Sequence, residues 1–197
     1  RAKEQAEFIV NSLQADLMAN GATERVTHIP VLQQEFGTDC AIANARMAPA
    51  RFGHDDNGTD GFIQEANNLG ITVPTIKDAN GNEGPRADIS IIQPVLAKYG
   101  ITARFITGSE AGKSFVEALK AGNPVQLSID FHALHPEDAS ELVRNHAVMA
   151  KGYRLNENQG LVLVVNDPKP ILGGELEISQ SILERALENP FTIYVKN

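Results

Sequence analysis

Two apolar runs joined by a tight turn limit this chain more than any other feature. His146-Ala147-Val148-Met149-Ala150-Lys151-Gly152-Tyr153 and Leu161-Val162-Leu163-Val164-Val165 both read as strands. Asn158-Gln159-Gly160 supplies a hairpin turn between them. Asp167-Pro168 ends the second run, because proline cannot continue the ladder. In an antiparallel pair the start of one strand lies beside the end of the next. The pattern therefore predicts His146 and Asp167 at the same end of a sheet.

The segments before this hairpin are mostly helical. Apolar residues from Ala2 to Met18 recur at helical spacing, and Asn20-Gly21 makes a C-terminal stop. Arg25 to Val31 alternates like a short strand, with Pro30 marking an edge or an end. After the loop Gln33 to Asp39, an alanine-rich helix runs from Cys40 to Ala48 and is stopped by Pro49. Phe52 to Gly61 is a polar loop. Two similar units follow: helix Gly61 to Leu69 into strand Ile71 to Val73, and helix Ile89 to Tyr99 into strand Ile101 to Ile106. The turn-rich stretch Lys77 to Pro85 separates them. Ala111 to Lys120 is a helix, Pro124 to Ile129 a strand, and Phe131 to Arg144 an irregular polar insertion. A short helix, Ser181 to Leu187, and a last strand, Phe191 to Val195, close the chain. Helices first and then a mostly antiparallel sheet define an α+β class. We expect residues 1–24 to form an N-terminal helical extension and residues 25–197 the main domain.

Composition excludes several functions. A net charge of −8 argues against a nucleic-acid binder, which would show a basic patch. The longest apolar stretches are too short to span a bilayer, so no membrane partner is expected. The start, Arg1-Ala2-Lys3-Glu4-Gln5, lacks the apolar core of a signal peptide and an initiator Met, and reads as a domain excised from a longer chain. With one cysteine in 197 residues, no intramolecular disulfide can form, which suits a reducing cytoplasm.

That cysteine, Cys40, opens a helix after a loop. The thiolate is the reactive form, and the positive end of a helix dipole favours it. Thr38 or Asp39 is the expected N-cap. A general base must come from a distant segment, and His146 is the candidate. Asp167 can hold its tautomer and stabilise the imidazolium, with Asn166 as the alternative. Gln34, six residues before Cys40, can donate to a developing oxyanion together with the Cys40 backbone N–H. Gln33 competes for that place.

On these residues the sequence resembles the bacteriocin-processing peptidases, the papain-like domains at the front of peptidase-containing export transporters. Their pattern of Gln, five residues, then a Cys opening a helix matches Gln34 to Ala43. Their second block, a His leading an apolar strand and then a strand ending Asp-Pro, matches His146 to Tyr153 and Val164 to Pro168. The helix before Gly122-Asn123-Pro124-Val125 is similar too. The resemblance spans roughly Ile29 to Pro168. It implies a papain-like fold and a cysteine peptidase with Cys40 as nucleophile, His146 as base, Asp167 as orienting residue and Gln34 at the oxyanion. It implies a protein or peptide substrate cut after small residues such as Gly-Gly, with no cofactor and no metal.

Other polar clusters read as structure. His132, His135 and Asp138 have metal-like spacing, but in a loop with Pro136 and no Cys they are expected to be solvated. His54-Asp55-Asp56 with Asp60 lacks the ordered ligand spacing of a calcium loop. Gly173-Gly174 is a plain turn. A stand-alone peptidase domain of this kind resembles the toxic domains of delivered bacterial effectors. That implies delivery by a bacterial secretion system and a cognate immunity protein covering the cleft. Two alternatives use the same residues: a transglutaminase-like or deamidase acyl-transfer enzyme, and an inactive module that binds peptide.

Overall fold

The computed structural model describes residues 1–138, 145–158, 160–171 and 173–197. Gln159 of the expected turn, and residues 139–144 of the expected insertion, lie outside the described residues. The hairpin forms the middle of the sheet. Strands β6 (Asn145–Leu155) and β7 (Leu161–Asp167) pair antiparallel, with Leu155 opposite Leu161 and Met149 opposite Asn166. Every residue of β7 is buried. A strand covered on both faces reads as a continuous apolar run, which is how Leu161 to Val165 reads.

The other strands build outwards from this pair. β5 (Val125–Asp130) lies along β6, β9 (Phe191–Lys196) along β5, and β4 (Ile101–Ile106) forms the outer edge. On the far side β8 (Gly174–Ile178) pairs with β7. All of these pairings are antiparallel. The fold is α+β. β1 (Glu24–Val26) takes over the β6 edge where β5 ends, pairing Val26 with Gly152. The expected strand from Arg25 to Val31 thus stops after three residues and leaves before Pro30.

Helices cover both faces. On one, α1 (Ala2–Ala19), α5 (Ala111–Lys120) and α7 (Gln180–Ala186) pack together. Ile9, Leu13 and Leu17 of α1 are fully buried and join Phe115, Leu127 and Val148 in one core. The α1 helix thus shares a core with the sheet. On the other face lie α2 (Cys40–Ala50), α3 (Gly58–Asn68) and α4 (Ile89–Ala97). Their Ile42, Met47, Phe62 and Leu96 cluster with Met149 and Tyr194. α2 runs one residue past Pro49, which sits in its last turn. The segment from Phe131 is not irregular throughout: α6 (Phe131–Leu134) is one helical turn, capped by the Asp130 carboxylate on the His132 N–H at 2.9 Å.

The segment Ile71–Val73 is not a strand. Pairing begins only after Pro74, which has no N–H to give. β2 (Thr75–Lys77) and β3 (Glu83–Pro85) form a separate two-stranded hairpin. Its tip carries Gly81 at φ +82°, a conformation glycine adopts without strain. Thr38 Oγ1 donates to Pro85 O at 2.8 Å and ties the hairpin to the loop before Cys40.

A bulge at Lys151 sets the register of the whole site. Ala150 pairs with Val165, but Gly152 pairs with Val164, so Lys151 is the extra residue. Val148 and Ala150 before it, and Tyr153 after it, face the same core. The alternation of side chains skips one step there. Were Lys151 paired, Asp167 would stand across from Met149, on the face away from His146. With Lys151 bulged, Asp167 comes level with Val148, a diagonal neighbour of His146 on its own face. Gly152 is required beside the bulge, because a Cβ would lie 2.3 Å from Arg25 O and 2.5 Å from Val26 Cα.

Candidate active site

α2 begins at Cys40, a half-buried free thiol. Asp39 stands at the N-cap position, yet its carboxylate does not cap the helix. It turns back instead and accepts from the Phe36 N–H at 2.9 Å, the Glu35 N–H at 3.2 Å and Thr59 Oγ1 at 2.6 Å. Thr59 in turn accepts from Arg46 Nη1 at 3.4 Å, and Arg46 also donates to Gln33 O at 3.2 Å. A two-pronged pair with Asp56, at 2.8 and 2.7 Å, anchors the guanidinium. The loop before Cys40 is thus braced by a buried polar chain that starts in the expected polar loop. Asp56 of that loop is a structural partner of Arg46 and not a freely solvated group.

His146 faces the cleft from the start of β6. Its Nε2 lies 2.5 Å from Asp167 Oδ1, and its side chain lines the same cleft as Cys40. Since Nε2 is taken by the carboxylate, Nδ1 is left for the sulfur. Burial alone would push the imidazole's pKa down. The Asp167 carboxylate and the Cys40 sulfur outweigh it and raise the pKa to about 9. For Cys40, burial likewise favours the neutral thiol. His146 and the backbone N–H groups of Ala147 and Ala41 overcome it and hold the thiol below its usual range. Both shifts favour an ionised Cys40 beside a protonated His146.

Asp167 is fully buried, so its charge needs a full set of partners. Oδ1 accepts from His146 and from the Lys169 N–H at 2.8 Å. Oδ2 lies 2.6 Å from Nε2 of a second histidine, His135. Burial would raise the Asp167 pKa, and these donors bring it below the ordinary carboxylate value. Asn166, the alternative orienting residue, gives its amide to Ile29 O at 2.9 Å. It points to the opposite face from Asp167, as strand alternation requires.

His135 corrects the sequence expectation. It was expected in a solvated loop, but it is 2% exposed. The missed signal is apolar: Phe131, Ala133 and Leu134 interleave with the histidines, and Phe131 is buried beside both His135 and His146, at ring distances of 4.9 and 5.5 Å. Among the described residues no group of three His, Cys, Asp or Glu is placed to hold a metal ion.

Gln34 stands one step away from this line. Its N–H donates to Pro168 O at 2.9 Å, which ties the Cys40 loop to the end of β7. Its side-chain Nε2 gives one hydrogen to Phe36 O at 2.7 Å, and its Oε1 is buried with no partner among the described residues. No hydrogen bond joins the Gln34 amide to the thiol among the described residues.

Cys40 and His146 open onto a cleft of about 480 Å³. Ala41, Ala87 and Ala147 line it, together with Ile76 and Asp78 of the β2–β3 hairpin. No helix among the described residues is long and apolar enough to cross a membrane.

An α+β fold with a thiol at a helix start facing an imidazole at a sheet end is of the bacteriocin-processing type of cysteine peptidase. The chain belongs to the Peptidase C39 like family, whose model matches residues 26–190. Two solved structures share the fold. One is a double-glycine motif protease from an AMS/PCAT transporter, crystallised with its leader peptide. It is 17% identical with a TM-score of 0.55, over 87% of this chain and 94% of that one. The other is a C39-like peptidase from Bacillus anthracis, 17% identical with a TM-score of 0.57, over 88% and 98%. No curated protein matches the sequence.

Proposed function

We propose that this cysteine peptidase is an endopeptidase that uses Cys40, His146 and Asp167 as its triad and cuts a protein after small residues such as Gly-Gly. The observation that supports the reading is the 2.5 Å contact of His146 Nε2 with Asp167 Oδ1, with Cys40 and His146 lining one cleft. Cys40 Sγ attacks the scissile carbonyl, and His146 gives its proton to the leaving amine. His146 then takes a proton from the water that hydrolyses the thioester. Asp167 holds the imidazole's tautomer throughout. The first backbone N–H groups of a helix have no partner within it, so that of Cys40 is suited to the oxyanion. Gln34 supplies the second donor through the amide hydrogen not given to Phe36.

The leader peptide bound to the double-glycine motif protease of similar fold supports a peptide substrate with Gly-Gly before the cut. The test is hydrolysis of a fluorogenic peptide with Gly-Gly before the scissile amide. Wild type should cut it, and Cys40→Ala should lower turnover by roughly 10³-fold or more. Retained turnover in Cys40→Ala would sink the reading. Mass spectrometry of the products separates backbone cleavage from deamidation or cross-linking by the same thioester. A single cysteine needs no oxidising compartment, which is compatible with action in a recipient cytoplasm as a delivered antibacterial effector held in check by an immunity protein. Growth arrest on cytosolic expression, lost in Cys40→Ala, is the expected result, and harmless expression of wild type rejects that role.

A further inference from the structure

Asp167 has two carboxylate oxygens, and the triad uses only one. Oδ2 lies within the protein, and a buried carboxylate oxygen without a donor is costly. Its partner is His135 Nε2 at 2.6 Å. A carboxylate can only accept, so His135 Nε2 must carry a proton. The other ring nitrogen, Nδ1, lies 3.3 Å from Glu137 Oε1 on the surface. His135 is held by its own N–H on Phe131 O at 2.8 Å and by the Phe131 ring, which also packs on His146. Two histidines therefore share one carboxylate, and one aromatic ring spaces them.

We propose that His135 is a positioning residue that fixes Asp167 by Oδ2, so that Oδ1 stays turned to His146. The inference rests on the triad reading and deepens it. Without His135 the carboxylate loses its Oδ2 anchor and could rotate about its last bond, taking Oδ1 out of line with His146. That loss of orientation weakens its hold on the imidazolium and so, one step further, the thiolate. Among the described residues, the groups facing this chain include Cys40 from α2, His146 from β6, the Lys169 N–H after β7, His135 after α6, and Glu137 behind His135. The Lys169 ammonium lies over the Phe131 ring at 5.4 Å.

The experiment is the pH profile of Cys40 alkylation by iodoacetamide, which needs no substrate. In His135→Leu the acid limb should move up by about one pH unit, the effect of one lost charged hydrogen bond. His135→Gln keeps an N–H donor and should return most of that shift. A merely structural histidine would lower the melting temperature and leave the limb of the folded protein in place. An unmoved limb in folded His135→Leu overturns the proposal. Should that variant not fold, ¹⁵N-histidine NMR on wild type decides. The His135 Nε2–H signal should shift when Cys40 is alkylated, because the change passes through Asp167, and an unchanged signal overturns the proposal. Loss or retention of peptide hydrolysis in Cys40→Ala judges the peptidase reading separately from both measurements.

Discussion

His146 Nε2 and Asp167 Oδ1 are 2.5 Å apart, although 21 positions separate the two residues in the chain. The contact joins the first turn of one strand to the last residue of the next. Replacing Asp167 by Asn keeps the shape but removes the charge and presents the wrong hydrogen-bonding group to one of its donors. We expect kcat/KM on the Gly-Gly peptide to fall by roughly 10²-fold or more. Steady-state kinetics on the folded variant checks it, and a change under threefold would show that Asp167 is not an orienting group.

The pH dependence follows from two shifts of opposite sign. The competent form needs Cys40 ionised and His146 protonated. Cys40 is held below its ordinary value, so lowering the pH through that depressed pKa extinguishes the thiolate and gives the acid limb. His146 is raised to about 9, so the alkaline limb, where the leaving amine loses its acid, falls near that pH. Activity should be flat at neutral pH and fall on both sides. An alkaline limb near the unshifted histidine value would show that the ion pair does not form.

Gly152→Ala should be costly at a distance from the chemistry. The added methyl meets two backbone atoms of β1, neither of which can rotate away. We expect a loss of about 2–4 kcal/mol in a urea titration. A loss below about 0.5 kcal/mol would mean that β1 moves aside freely.

Asp56→Ala tests the brace behind the Cys40 loop. Arg46 is only 9% exposed and would be left with its charge poorly matched. A destabilisation of about 1–3 kcal/mol is expected, because Asp56 itself is partly open to water. Hydrogen exchange should also quicken at the Glu35 and Phe36 amides, which depend on Asp39. Unchanged exchange there would separate Arg46 from the loop.

The hairpin was legible because its signals are local. An apolar run, a turn and an Asp-Pro end each act over a few residues, and antiparallel pairing then carries His146 to Asp167. Cys40 at a helix start was legible from the alanine-rich segment and Pro49. The partner of Asp167 Oδ2 was not. His135 looks solvated in sequence, and only the packing of Phe131 between two distant segments makes it buried. The bulge was hidden for a similar reason. Lys151 reads as one more strand residue, and its exclusion from the β7 ladder lies beside Gly152, where β1 arrives from another part of the chain. The strand expected at Ile71–Val73 failed because Pro74 delays pairing by one turn of the pleat.

The bulge at Lys151 makes β6 a segment read in frame. His146 lies on the correct face only because one residue between it and the turn goes uncounted by β7. One residue inserted between Ala147 and Ala150 would change no side chain of the triad and would still turn His146 away from Asp167. In this strand, spacing is as much a part of the chemistry as the imidazole.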